Sequence, residues 1–159
     1  MKRAIEQIRR MRGGAQSHLM RCDDGDYYIV KFQNNPQGVR ILANELLVPH
    51  LEHRVPVEGF TEPGDAFKLD YGYRDGVRGF VHAVAIGRDP VQPKVLAYTA
   101  GRVRMRYADT EFTAITETEP NLDNRRHAFI ARLFENNRIS IVPLNRVEKF
   151  AEELRVRLQ

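Results

Sequence analysis

Apolar residues recur along the chain with two different periods, and the switches between them mark the elements. Over residues 4–12, AIEQIRRMR, the apolar positions Ile5, Ile8 and Met11 fall three apart. That spacing predicts a short amphipathic helix, closed by Gly13-Gly14. Residues 17–22 and 26–32 instead read as strands on either side of DDGD. An Asp-Gly turn between two such runs predicts a β-hairpin. In its second arm Tyr28, Val30 and Phe32 alternate with Tyr27, Ile29 and Lys31, which sets Lys31 on the face opposite Val30. QNNPQG (33–38) is a loop by composition. From Val39 to Leu51 the helical period returns, with Ile41, Leu42, Leu46 and Val48 as the apolar side and Pro49 as a kink or stop.

Residues 52–66 show no period and several prolines and glycines. They predict a linker and a domain boundary, with a front unit at 1–54, a linker at 55–66 and a back unit at 67–159. The back unit has its own rhythm. FKLDYGY (67–73), the turn RDG and VRGFVHAVAIG (77–87) form a second hairpin, whose second arm is apolar on both faces as in a central strand. Residues 90–107 predict a helix with Val91, Val95, Leu96, Thr99 and Val103 inward and Pro90 and Pro93 in its first turn. EFTAITE (111–117) is a strand. Asp123 or Asn124 caps a helix running to about Glu135, ISIVPL (139–144) is a strand, and 146–158 is a helix with Val147, Phe150, Ala151, Leu154 and Leu158 on one stripe. The predicted class is α+β. A small antiparallel front unit of helix, hairpin and helix precedes a two- or three-layer mixed-sheet α/β unit in the order β-β-α-β-α-β-α, partly parallel because helices separate its later strands.

Composition narrows the function classes. The chain has 159 residues, 42% of them hydrophobic, as in an ordinary globular protein. No apolar window is long enough to span a bilayer, and the start lacks the apolar block of a secretory signal, so no membrane partner is predicted. Cys22 is the only cysteine. That predicts a reducing, cytoplasmic setting and excludes an intrachain disulfide or a cysteine-rich zinc site. His18, His50, His53 and His127 have no paired ligand spacing, so no metal site is predicted from them. With Lys plus Arg at 25 and Asp plus Glu at 21, the net charge of +4 permits acidic or phosphate-bearing partners.

One stretch carries more. RRMRGGAQSHLMRCDDGDYYIVKF and NNPQGVRILANEL, together about residues 5–51, resemble the amino-terminal, ATP-side lobe of the HipA-like serine/threonine kinases. The resemblance implies a bacterial-type, kinase-derived scaffold. In it Gly13 and Gly14, with Ala15 and Gln16, form the loop over the ATP phosphates, where small residues let N–H groups approach an anion. It also implies that Lys31, in IVKF, contacts the α- and β-phosphates, and that Glu45, in ANEL, pairs with that lysine. The implied cofactor is ATP with magnesium. Beyond Leu51 the chain departs from the family: no HRD- or DFG-type run follows, and the remainder alternates strands and helices instead of building a helical lobe. Nucleotide-phosphate binding without efficient phosphoryl transfer is the expected function, and no catalytic residue is assigned.

Two readings from other classes stand beside it. The back unit's order, with Asp70 on the first arm of a hairpin, resembles restriction-endonuclease-like domains, in which a strand aspartate and a Glu-x-Lys pair bind a metal that activates water. Here the second arm offers His82, and Lys94 lies on the following helix. The ordinary alternative makes Asp70 a polar residue on an exposed strand face and His82 a core residue. Arg102 and Arg104, with Arg106, could meet nucleic-acid phosphates together with Lys94, although residues two apart on a helix do not share a face. The last reading is a protein-interaction module or homo-oligomer, in which another subunit completes the lobe.

Overall fold

A computed structural model of the chain describes residues 4–10, 17–22, 27–31, 51–87 and 89–158. The described strands form two sheets. The first is a three-stranded antiparallel meander, β1 (Ala4–Arg10), β2 (Ser17–Cys22) and β3 (Tyr27–Lys31), in the order β1-β2-β3. The hairpin expected around DDGD is present as β2 and β3, paired from Ser17↔Lys31 to Arg21↔Tyr27. The helix expected over 4–12 is not: Ala4–Arg10 is a strand paired with β2. A helix that short is marginal in water unless something else holds it, whereas β2 offers a row of backbone partners. The register also shifts between Ala4 and Glu6 and between Gln7 and Arg9. Each irregularity breaks strict alternation, so the three-residue apolar spacing is compatible with a strand. The helix expected over 39–51 lies outside the described residues, Leu51 excepted.

The second sheet has five strands in sequential order: β4 (Glu52–Pro56), β5 (Lys68–Asp75), β6 (Val77–Val84), β7 (Glu111–Thr116) and β8 (Ile139–Pro143). The pairs β4-β5 and β5-β6 are antiparallel, and β6-β7 and β7-β8 are parallel. The helices are α1 (Val91–Arg106), α2 (Arg125–Asn136) and α3 (Val147–Arg157), the last entered through a 3-10 turn at Leu144–Arg146. This is the expected α+β class, with the mixed sheet and the apolar strand β6 at its centre. One correction falls at the predicted linker. Residues 52–56 form the edge strand β4, in which only Val55 is buried. An edge strand with one inward residue has no sequence period to detect.

The sheet separates two cores. On one side Leu96, Ala97, Ala100 and Val103 of α1 and Ile130 and Phe134 of α2 pack against Phe80, Phe112 and Ala114. On the other, Val147, Ala151 and Leu154 of α3 pack against Tyr71, Tyr73, Val81 and Ile115. The result is three layers. Both crossover helices, α1 and α2, cover the same face because the chain steps in one direction from β6 to β7 to β8. Val91, expected inward, is 55% exposed at the start of α1. Among the described residues no helix is long and apolar enough to cross a membrane.

Side-chain parity breaks once, and the break shapes the candidate site. Leu69 and Tyr71 are two apart on β5 and should share a face, yet Leu69 packs in the α1–α2 core and Tyr71 in the α3 core. Asp70 lies between them. Opposite it on β4, Arg54 has a left-handed φ of 53°, a conformation uncommon outside glycine, while the β4–β5 register continues unshifted.

Candidate functional site

The front candidates are placed by backbone register. Gly13 and Gly14 belong to the β1–β2 connection and lie outside the described residues, as does Glu45. Lys31 is the last residue of β3 and pairs with Ser17, the first residue of β2. The lysine position therefore sits at the end of the meander where the glycine-bearing connection enters β2.

In the back unit the parity break explains Asp70 and His82. The β5–β6 ladder starts at Tyr71↔Val81, which leaves Asp70 and His82 facing each other just beyond its end. The Asp70 carboxylate accepts the N–H of Ala83 at 2.9 Å and lies 3.0 Å from Nδ1 of His82, which is buried. The backbone N–H of Asp70 also approaches that nitrogen, at 3.3 Å. Both cannot be hydrogen bonds to one nitrogen atom. The shorter contact is attractive only if Nδ1 carries a proton, since two lone pairs would repel, so Nδ1–H donates to the carboxylate. Asp70 thus serves β6's backbone where the ladder is interrupted, and the Phe67 ring packs edge-on to His82 at 5.1 Å between centroids. This places His82 in the core, as expected, and puts Asp70 half-buried against it, not on an open strand face. Two positions after His82, where the endonuclease pattern carries lysine, stands buried Val84. Among the described residues no three His, Cys, Asp or Glu side chains gather where they could hold a metal.

The remaining candidates disperse. Lys94 is exposed, with its ammonium 5.7 Å from the Phe129 ring. Arg102 pairs with Glu62. Arg104 turns inward: its guanidinium donates to the carbonyls of Thr110 at 3.0 Å, of Asn137, and of Arg138 at 2.8 Å, and lies 5.1 Å from the Phe112 ring. It ties the end of α1 to the end of α2 and the start of β7. Burial, then the charge of Arg138, lowers its pKa, but an arginine keeps its charge at any neutral pH. Arg106 donates to the carbonyl of Gly59 at 2.7 Å. The three arginines point to three different partners, as their spacing on a helix requires. Asn124 caps α2, accepting from Arg126 N–H at 2.9 Å and His127 N–H at 3.4 Å, one of the two caps expected.

Polar groups that the sequence did not single out hold both ends of the sheet. Glu117, just past β7, accepts the N–H groups of Ile86 at 3.0 Å and Gly87 at 2.8 Å, closing the chain beyond β6. At the opposite end the Tyr73 hydroxyl donates to Glu111 at 2.8 Å, and Arg157 reaches Glu111 at 3.1 Å and Asp75 at 3.5 Å. Burial raises the Tyr73 pKa well above the ordinary phenol value, and the Glu111 carboxylate adds to the effect. These contacts join residues 30 and 38 positions apart, and no local period marks them.

Comparisons with models of known protein families, with curated proteins and with solved structures return no match.

Proposed function

We propose that the front unit binds the phosphates of a nucleotide, through Gly13, Gly14, Lys31 and Glu45, without efficient phosphoryl transfer by this chain alone. The observation that carries the reading is the order and register of the meander. A strand leads through a glycine-bearing connection to a second strand, and the third ends on Lys31 opposite Ser17. Kinase-type lobes use the same order, with a glycine loop over the phosphates and the lysine on the third strand. The strand at Ala4–Arg10, expected as a helix, is what makes the glycine pair a strand-to-strand connection. Glu45 enters through the HipA-like resemblance alone. ATP with magnesium is the expected ligand. The missing magnesium-binding motifs argue for binding over turnover.

Titration calorimetry with magnesium-ATP tests it. Saturable binding by the wild type, weakened at least tenfold in Lys31→Ala and without ADP formation, is the expected result. A folded sample that binds no nucleotide at millimolar ATP overturns the reading.

A further inference from the structure

The end of the five-stranded sheet where β6, β7 and β8 begin collects arginines that the fold does not neutralise. Arg74 and Arg78 are direct cross-strand partners on β5 and β6. Like charges directly opposite each other are destabilising, and neither has a carboxylate partner among the described residues. The Arg78 guanidinium lies 5.0 Å from the centroid of Phe60 and 4.3 Å from that of Tyr107. Those rings hold its plane, while described residues leave its N–H fork unused. Arg138 follows α2 with a left-handed φ of 50° and an exposed side chain. It stands near Arg104, whose donors are already taken by carbonyl groups.

The acidic groups at this end are few. Arg157 holds Asp75 and Glu111, which leaves Asp109 and Glu52 against Arg74, Arg78 and Arg138. The surface is also grooved. A depression of about 450 Å³ beside Arg74, Arg78 and Phe80 shares both arginines with a smaller one beside Tyr107. That one shares Val77, Asp109 and Thr110 with a third, of about 570 Å³, which reaches Arg138 and Ser140. No lysine lines any of the three.

We propose that this furrow binds single-stranded nucleic acid, with Arg74, Arg78 and Arg138 on successive phosphates. Guanidinium forks match phosphate oxygens in pairs, which a lysine ammonium cannot do. A continuous basic groove with aromatic rings beside it is the usual means of holding a single strand, because unstacked bases find π faces there. Tyr107 is 39% exposed at the groove. Arg102 lines none of the three depressions, Arg104 lines the third with its donors held by carbonyl groups, and the surface is independent of the nucleotide reading at Lys31.

Fluorescence anisotropy with a labelled oligothymidylate, an equal-length duplex and polyglutamate as competitor tests the proposal. The expected result is binding of the single strand that weakens with salt, with a log–log slope of about −2 for three phosphate contacts. Arg74→Ala and Arg138→Ala, both at exposed side chains, should each weaken it several-fold, and the pair together at least tenfold. Lys94→Ala and Lys31→Ala should leave it unchanged. Absence of binding, undiminished binding by the double variant, preference for the duplex, or equal competition by polyglutamate overturns it. Loss in Lys31→Ala with retention in the arginine variants assigns the binding to the front unit and overturns it as well.

Discussion

The ring of Tyr73 occupies the place where a β-carbon on Gly79 would sit. The two residues pair across β5 and β6, and a methyl group at Gly79 would lie 1.9 Å from Tyr73 Cζ. The tyrosine is buried and its hydroxyl is fixed on Glu111. It cannot swing aside without losing that bond.

Gly79→Ala is therefore expected to destabilise the protein by about 1–3 kcal/mol, the usual range for overpacking. A double-mutant cycle checks the cause. In a Tyr73→Ala background the same substitution should cost far less, and an equal cost in both backgrounds would place the penalty elsewhere.

The same tyrosine predicts a pH dependence. Its folded-state pKa is raised above the unfolded value, first by burial and then by Glu111. The neutral phenol is the form the fold favours, so its contribution is fully present below the unfolded pKa of about 10 and is lost as pH rises from there toward the folded pKa. Denaturant midpoints should fall above about pH 10 in the wild type. The fall should be shallower in Tyr73→Phe, although that variant starts lower for want of the hydrogen bond. Parallel curves would remove Tyr73 as the cause.

Gly101 lies inside α1 with nothing within 4 Å of where a β-carbon would stand. Glycine costs a helix interior roughly 0.5–1 kcal/mol relative to alanine. Gly101→Ala should raise stability by about that amount, read as a higher thermal midpoint. A lower midpoint would mean that the site needs the space.

Asp70→Ala should cost about 1–3 kcal/mol, because it leaves the Ala83 N–H and the His82 Nδ1–H without their acceptor. Faster amide exchange at Ala83 would accompany the loss. A carboxylate kept for metal chemistry behaves oppositely, since removing it relieves stored cost and leaves the fold as stable or more so.

Much of the back unit is legible in the sequence, for local reasons. The turn RDG, the β-type residues of β5 and β7, the apolar run of β6 and the Asn124 cap are all written within a few residues. Each is a backbone preference or a run of like residues that neighbours in sequence suffice to show. The β4 strand was not legible, because a single inward residue, Val55, leaves no period. Nor was β1, where three-residue apolar spacing favours a helix and only pairing with β2 decides for a strand. In the candidate site Lys31 could be placed on a strand and Asp70 on a hairpin arm, but the neighbours of each could not.

The charged residues mark the boundary most sharply. In the sequence Arg102, Arg104 and Arg106 look equivalent, yet one pairs with Glu62, one binds three carbonyl groups and one reaches Gly59. No local pattern marks Arg74 and Arg78, and the hairpin register sets them opposite each other. Local pattern determined the class and the back unit's elements from β5 onward, because backbone geometry and burial act over a turn or a pleat. Which charge is neutralised, which face a groove opens on and where strand parity breaks were decided by chain folding alone. Those properties depend on groups tens of residues apart, and electrostatics and packing act through space with no period along the chain.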